Sequence, residues 1–375
     1  MEGGAVDAWL GRPAGTAGDA DLGTVLARGT TSLMGMFTEQ RRLLQWMREA
    51  GARGTRVRFY GVDTPGSNVS LLPALDLVEA YLAANDPQLR IEPDVRDLAE
   101  ATAASSVFVA QPALAAYANL PADRKDALTA GLSLLLARLR ARRPAHRRSD
   151  APDDEPATGA AFDVVERALE LAIAWDAFRR DMTVNVRDLA QADTVEWILR
   201  REQRGVLAAH NAHVQRWPTE FPGVLAPSTT AGQHLDLRLG REYRVIGVTN
   251  GSGRTLTGGP GFLEGRFFDD LPAPPPDTLD AVMAATHDEP FGVDLRALDA
   301  TDRATLAGVR TQRSGPFLCP VDPLAAYDVI MHLPHVTEAR PDPAAVDAAP
   351  AEVAAVFRSP PDCIGPDASR RCGPT

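Results

Sequence analysis

Two imidazoles and an amide stand within four residues at His210-Asn211-Ala212-His213. Groups of these types can take a proton from water, return it to a leaving group, or hold a developing negative charge. Arg187 and Asp188 lie on the periodic segment upstream, and Asp63 and Glu2 complete the set of side chains considered. Arg187 and Asp188 also read, in isolation, as an ordinary solvated ion pair of small energetic weight. The sequence has no Gly-x-Ser-x-Gly elbow and no cysteine beside a basic partner, so covalent acyl-enzyme chemistry has no support. An ester hydrolase built from these parts would activate water with an imidazole or a carboxylate and hold the oxyanion with Arg or His donors. His-x-x-His could instead chelate a metal with a carboxylate as third ligand. Neighbouring side chains diverge at a strand end, which makes that the weaker option, and no metal or other cofactor is expected.

These groups need elements to position them. The apolar run Val206 to Ala209 predicts a buried strand fed by an amphipathic helix from Arg187 to Gln203, with His210, Asn211 and His213 at its carboxyl end. In open parallel sheets that edge is where ligands bind. Val57 to Val62 predicts a second strand ending at Asp63, and Tyr243 to Val248, Phe291 to Leu295 and Tyr327 to Leu333 predict three more. Helices are expected at Thr38 to Ala50, capped by Thr38 and stopped by Gly51, at Thr230 to Leu239, stopped by Gly240, and at Leu279 to Ala285.

From Leu71 to Arg143 the signals are almost continuously helical, with breaks at Pro87, Pro93, Pro112 and Pro121. Residues 144–158 read as an exposed excursion, solvated His146 included, before a helix from Ala160 to Met182. That helix carries Phe162, Val165, Ala168, Leu169, Ala172 and Trp175 at near-helical spacing, and should pack on the helices before the excursion. Residues 11–35 read as a loop with at most one short helix, and Trp217 to Ser228 and the Gly-rich runs Asn250 to Gly253 and Gly258 to Gly261 read as loops, the last two matching no phosphate-loop pattern. The implied fold is α/β: a mostly parallel central sheet flanked by helices, with a large helical insertion. The expected division is an α/β core over 1–70 and 204–340, a helical subdomain over 71–203, and an irregular tail over 341–375.

A chain of 375 residues with 45% apolar content can bury one large core or two smaller ones. Its net charge of -11, with no sustained basic face, argues against a nucleic-acid partner. The basic run Arg138 to Arg148 is better explained as a helix C-terminus and an exposed loop. No run of 18 apolar residues and no export-type opening is present, so a cytoplasmic chain with no membrane partner is expected. Cys319, Cys363 and Cys372 read as free thiols. Nothing in the sequence fixes an oligomeric state.

The segment Ala208-Ala209-His210-Asn211-Ala212-His213-Val214, preceded by Arg187 to Leu199, resembles the paired signatures of the erythromycin esterase family. Leu44 to Arg48, Val57 to Asp63, Gly232 to Leu235, Gly240 to Gly247 and Ala325 to Asp328 agree in order, so the resemblance spans about residues 1–340. It implies hydrolysis of a macrolide lactone or another carboxylic ester, a small-molecule partner, and a part in antibiotic resistance. The implied catalytic residues are His210 with Arg187, which stabilise or protonate developing charge, and Glu2 and His213, which orient it. Asp63 and Asn211 are expected to contact substrate.

The sequence also departs from the family pattern. It has no Gly-Glu-x-x-His-Gly motif, whose histidine is the family's proposed base, and it begins at what resembles the second strand end, with Glu2 as the closing glutamate. Gln191 stands where the pattern usually has Met. A weak or inactive esterase is therefore expected. The alternatives are a non-catalytic small-molecule binder and a metal-dependent hydrolase.

Overall fold

The computed structural model describes residues 3–12, 19–30, 33–64, 69–148, 157–257, 260–263, 265–315 and 317–358. Two compact units form: Met1–Met182 with Ala339–Arg358, and Thr183–Glu338. No helix among the described residues is long and apolar enough to cross a membrane. Residues 65–68, 149–156 and 258–259, and with them part of the expected excursion and of the second Gly-rich run, lie outside the described residues, as do Cys363 and Cys372.

The first unit is helical. Helices α1 (Gly3–Leu10), α2 (Asp19–Gly29), α3 (Thr38–Ala52), α4 (Leu72–Asn85), α5 (Pro93–Ala101), α6 (Ala110–Ala118), α7 (Ala122–Arg148) and α8 (Ala157–Arg180) follow in order. Prolines serve as starts, since Pro93 opens α5 and Pro73 sits in the first turn of α4, where a missing N–H costs nothing. The α7 side chains Leu128, Leu132, Leu135 and Leu139 form a buried stripe; Phe162, Val165, Leu169 and Ala172 of α8 are buried in the same core clusters. Each fully buried Leu or Phe contributes about 1.5–3 kcal/mol, so this packing rather than helix propensity holds the pair.

Several sequence expectations change here. Val57 to Val62 joins no ladder among the described residues. Asp7 of α1 instead takes up Arg58, whose Nε lies 2.9 Å from each carboxylate oxygen, and the Phe59 N–H at 3.0 Å. The short helix allowed for within 11–35 is α2, about three turns long. Thr38 does not cap α3: Phe37 is the N-cap, without a side-chain bond, and the Thr38 hydroxyl is buried with no partner among the described residues. Helix α7 continues through Pro144. Beyond Pro341 the chain forms helices Pro343–Ala348 and Ala351–Arg358, because Asp342 caps the first and also accepts Arg41 Nε and Nη2 at 2.5 and 2.9 Å.

The second unit opens with α9 (Val186–Leu199), followed by α10 (Asn211–Val214) and a hairpin of β1 (Thr219–Phe221) and β2 (Leu225–Ser228). Then come α11 (Ala231–Leu239), β3 (Ile246–Leu256), α12 (Pro260–Leu263), β4 (Phe268–Leu271), α13 (Leu279–Ala284), β5 (Phe291–Asp294) and α14 (Ala300–Gly308). A hairpin of β6 (Thr311–Ser314) and β7 (Phe317–Pro320), α15 (Pro323–Ala326) and β8 (Val329–Val336) complete it. Helix α11 keeps its expected start and stop. Thr230 and Gln233 make a reciprocal capping box, and Gly240 takes φ 52°, a conformation a side chain would disfavour.

The sheet order is β4-β3-β8-β5, with β3 and β8 parallel and the outer strands antiparallel. A mostly parallel central sheet is therefore not observed. The sheet is small and mixed, because neither Val57 to Val62 nor Val206 to Ala209 adds a strand to it. Val206 is 96% exposed, the opposite of the buried strand its apolar neighbours suggest. The expected strand at Tyr243 to Val248 begins at Ile246 and runs on through Asn250 to Gly253, where a loop was expected. Its buried face is the small one, Gly247, Thr249 and Gly251, because the Tyr327 ring fills the space above Gly247. Trp217 to Ser228, expected as a loop, contains the first hairpin, turned at Gly223 with φ 77°.

Candidate functional site

His210 is the N-cap of α10, with φ -63° and ψ 146°, and its Nδ1 accepts the Ala212 N–H at 3.1 Å. A nitrogen that accepts a hydrogen bond carries no proton, so the neutral ring holds its hydrogen on Nε2. Desolvation, with His213 as the smaller cause, pushes the His210 pKa below the ordinary imidazole value. His210 is thus a neutral N–H donor near pH 7. Its Nε2 lies 3.5 Å from Ser314 Oγ.

His213 has the opposite tautomer. Its Nδ1 lies 2.8 Å from Asp188 Oδ1, on a carboxylate whose side chain is 1% exposed. An ionised carboxylate only accepts, so Nδ1 carries the hydrogen and Nε2 keeps its lone pair. Asp188 Oδ2 accepts the Ala231 N–H at 3.0 Å, which ties the carboxylate to the start of α11. Asn185 caps α9 by accepting the Asp188 N–H at 3.2 Å, so the dyad is anchored by two helix starts. Gly232 packs against the Val214 and Gln215 carbonyls so closely that no side chain would fit, which lets α11 approach α10.

Asn211 turns its amide toward β3: Nδ2 donates to the Val248 carbonyl at 2.8 Å, and Oδ1 accepts the Val248 N–H at 3.1 Å. Beside it lies a small surface hollow lined by His210, Asn211, Gln215, Arg313, Ser314 and Cys319 among others. Its floor is a buried amide cluster. Gln312 Nε2 donates to Gln215 Oε1 at 2.8 Å, and the Tyr327 hydroxyl lies 2.8 and 2.7 Å from the two amide oxygens. Burial pushes the Cys319 thiol up to about 11, so it stays protonated and a poor nucleophile.

The expected site residues are distributed as follows. His210, His213 and Asn211 share one short helix and its cap. Arg187 lies half-buried in the first turn of α9 beside Asp188, and neither it nor His213 is among the residues lining the hollow. Asp63 belongs to the first unit, where its Oδ1 accepts the Thr64 N–H at 2.8 Å. Glu2 lies outside the described residues. Among the described residues no group of three or more His, Cys, Asp or Glu is arranged to hold a metal.

Sequence reasoning treats Asp188 as half of a surface pair and passes over Ser314 and the Gln215-Gln312-Tyr327 cluster. An Asn three residues before an Asp at a helix start was a usable signal for the first. Ser314 and the cluster carry no local signal.

The fold and the dyad define a mixed helix and sheet protein with a carboxylate-bound imidazole beside a polar hollow. The family model for erythromycin esterase matches residues 1–336, and the chain belongs to the erythromycin esterase family. It is 29% identical over 221 residues to erythromycin esterase type II of Escherichia coli, covering 56% of this chain and 51% of that protein. Erythromycin esterase type I of Escherichia coli is 26% identical over 214 residues, 56% and 50% of the two chains. The chain thus spans about half the length of the curated relatives it matches.

Among solved structures, a Bacillus cereus protein superposes with TM-score 0.69 at 16% identity, covering 91% of this chain and 80% of that one. A mutant of the erythromycin esterase EreC in its open conformation gives 0.64 at 20%, covering 89% and 80%. A succinoglycan biosynthesis protein gives 0.68 at 16%, covering 90% and 78%. At these identities the structural likeness speaks for the fold alone.

Proposed function

We propose that the chain hydrolyses carboxylic esters, macrolide lactones foremost, by general-base activation of water. In this reading His213 takes the proton of water at Nε2 while Asp188 holds its Nδ1–H and stabilises the imidazolium that forms. His210 donates from Nε2 to the oxygen on which charge develops, and Arg187 adds positive potential beside Asp188. The observation that carries the reading is the 2.8 Å contact of the buried Asp188 with His213 Nδ1, since it leaves Nε2 as the basic nitrogen.

No Gly-Glu-x-x-His histidine occurs among these 375 residues, so turnover is expected below that of relatives that possess one. The test is hydrolysis of a macrolide lactone and of simple aryl esters by the purified chain and by His213→Gln and Asp188→Asn. Measurable turnover that falls about 10²- to 10⁴-fold in His213→Gln supports the assignment. Wild-type protein that turns over none of these esters, or variants as fast as wild type, overturns it.

A further inference from the structure

We infer that the hollow beside His210 seats a carbonyl group and that the Ser314 hydroxyl is a second donor to its oxygen, an assignment that deepens the ester-hydrolase reading and rests on it for the identity of that carbonyl. Most polar groups around the hollow already give a hydrogen to the protein. The Asn211 amide donates one to the Val248 carbonyl and accepts the Val248 N–H. The Thr219 hydroxyl donates to the Ala212 carbonyl. Gln215 donates to the Pro218 carbonyl at 3.3 Å, and Gln312 donates to Gln215. Arg313, whose backbone N–H donates to Asp280 Oδ2 at 2.7 Å, spreads its guanidinium over the carbonyls of Pro272, Asn250 and Gly251.

His210 Nε2 and Ser314 Oγ also line the hollow, and the Ser314 hydroxyl bonds the Cys319 thiol. The distance of 3.5 Å between His210 Nε2 and Ser314 Oγ is at the outer limit of a hydrogen bond and binds neither firmly to the other. One oxygen atom placed between them can lie within ordinary hydrogen-bond reach of both. Glu220 and Arg313 both line the hollow, so opposite charges there leave no net preference for a ligand that arrives as an anion. The group that suits this set is uncharged when it enters and anionic only in the transition state. As the water oxygen bonds to the carbonyl carbon, the C=O π pair moves onto oxygen, where the imidazole N–H and the hydroxyl converge. Phe221, edge-on to Phe317 at 5.4 Å, adds an apolar wall for the remainder of the molecule.

Ser314 is half-buried at the end of β6, so alanine removes the hydroxyl and leaves the ladder with Phe317 in place. The probe is phenyl trifluoromethyl ketone, whose hydrate is tetrahedral and uncharged, followed by ¹⁹F NMR titration of wild type, Ser314→Ala and Ser314→Thr. The expected result is binding by wild type, a loss of about tenfold in Ser314→Ala, and recovery in Ser314→Thr. In a chain that turns over ester, kcat of Ser314→Ala should fall about 10²-fold with KM little changed. No ketone binding by wild type, or equal binding by Ser314→Ala, overturns the inference even if esters are hydrolysed. Serine-dependent ketone binding in a chain without turnover sustains the carbonyl seat and removes the hydrolase reading alone.

Discussion

An imidazole acts as acid or base according to which nitrogen holds the hydrogen, and His210 and His213 differ in this although two residues separate them. The difference comes from their partners: a local amide for His210, and for His213 a carboxylate 25 positions earlier in the chain. The presence of the pair was therefore legible in the sequence, while its division of labour was not. Protonating His210 would place a hydrogen on Nδ1 and break its bond with the Ala212 N–H, which adds to the desolvation that already favours the neutral ring. ¹⁵N-edited NMR against pH should show the Nε2–H tautomer and a midpoint below 6.5. A midpoint above that value, or an Nδ1–H tautomer, would contradict the donor role.

Elements with their own start, stop and period were readable one at a time. The helix start at Thr230, the Gly240 stop and the α8 stripe from Phe162 to Trp175 are local, and all appear as expected. Strands depend on neighbours elsewhere in the chain. Val57 to Val62 and Val206 to Ala209 have strand composition, but a ladder needs a partner that composition cannot supply. At Asp342-Pro343 a readable signal was missed, since an Asp cap followed by Pro is a helix start even in an Ala- and Pro-rich tail.

The Arg41 guanidinium holds the Asp342 carboxyl below the usual carboxylate range, with backbone donors assisting against the opposing effect of burial. A carboxylate with a depressed folded-state pKa adds stability above its unfolded pKa and loses it as pH falls through the folded value. Asp342→Asn should cost about 3 kcal/mol in urea unfolding at pH 7, with the gap from wild type closing on acidification below the ordinary carboxylate range. A gap of the same size at pH 3 would mean that the charge is not what matters.

For the whole molecule, the charge of -11 favours solubility, but the mixed sheet leaves an apolar strip open. Val248 and Met331 are direct partners on β3 and β8, 42% and 46% exposed, and Ile246 on the same face is 53% exposed. Met331→Lys is expected to lower concentration-dependent light scattering while leaving the unfolding midpoint unchanged, whereas a large drop in midpoint would show that the side chain is needed for packing. The chain path has a consequence of its own. Helices Pro343–Ala348 and Ala351–Arg358 belong with the first 182 residues, so a ribosome must make the whole second unit before it delivers them. At ~5–20 residues per second that interval is on the order of ten to thirty seconds. Throughout it Arg41 waits for Asp342, and the nascent first unit is exposed to chaperones and proteases with its closing piece still unmade.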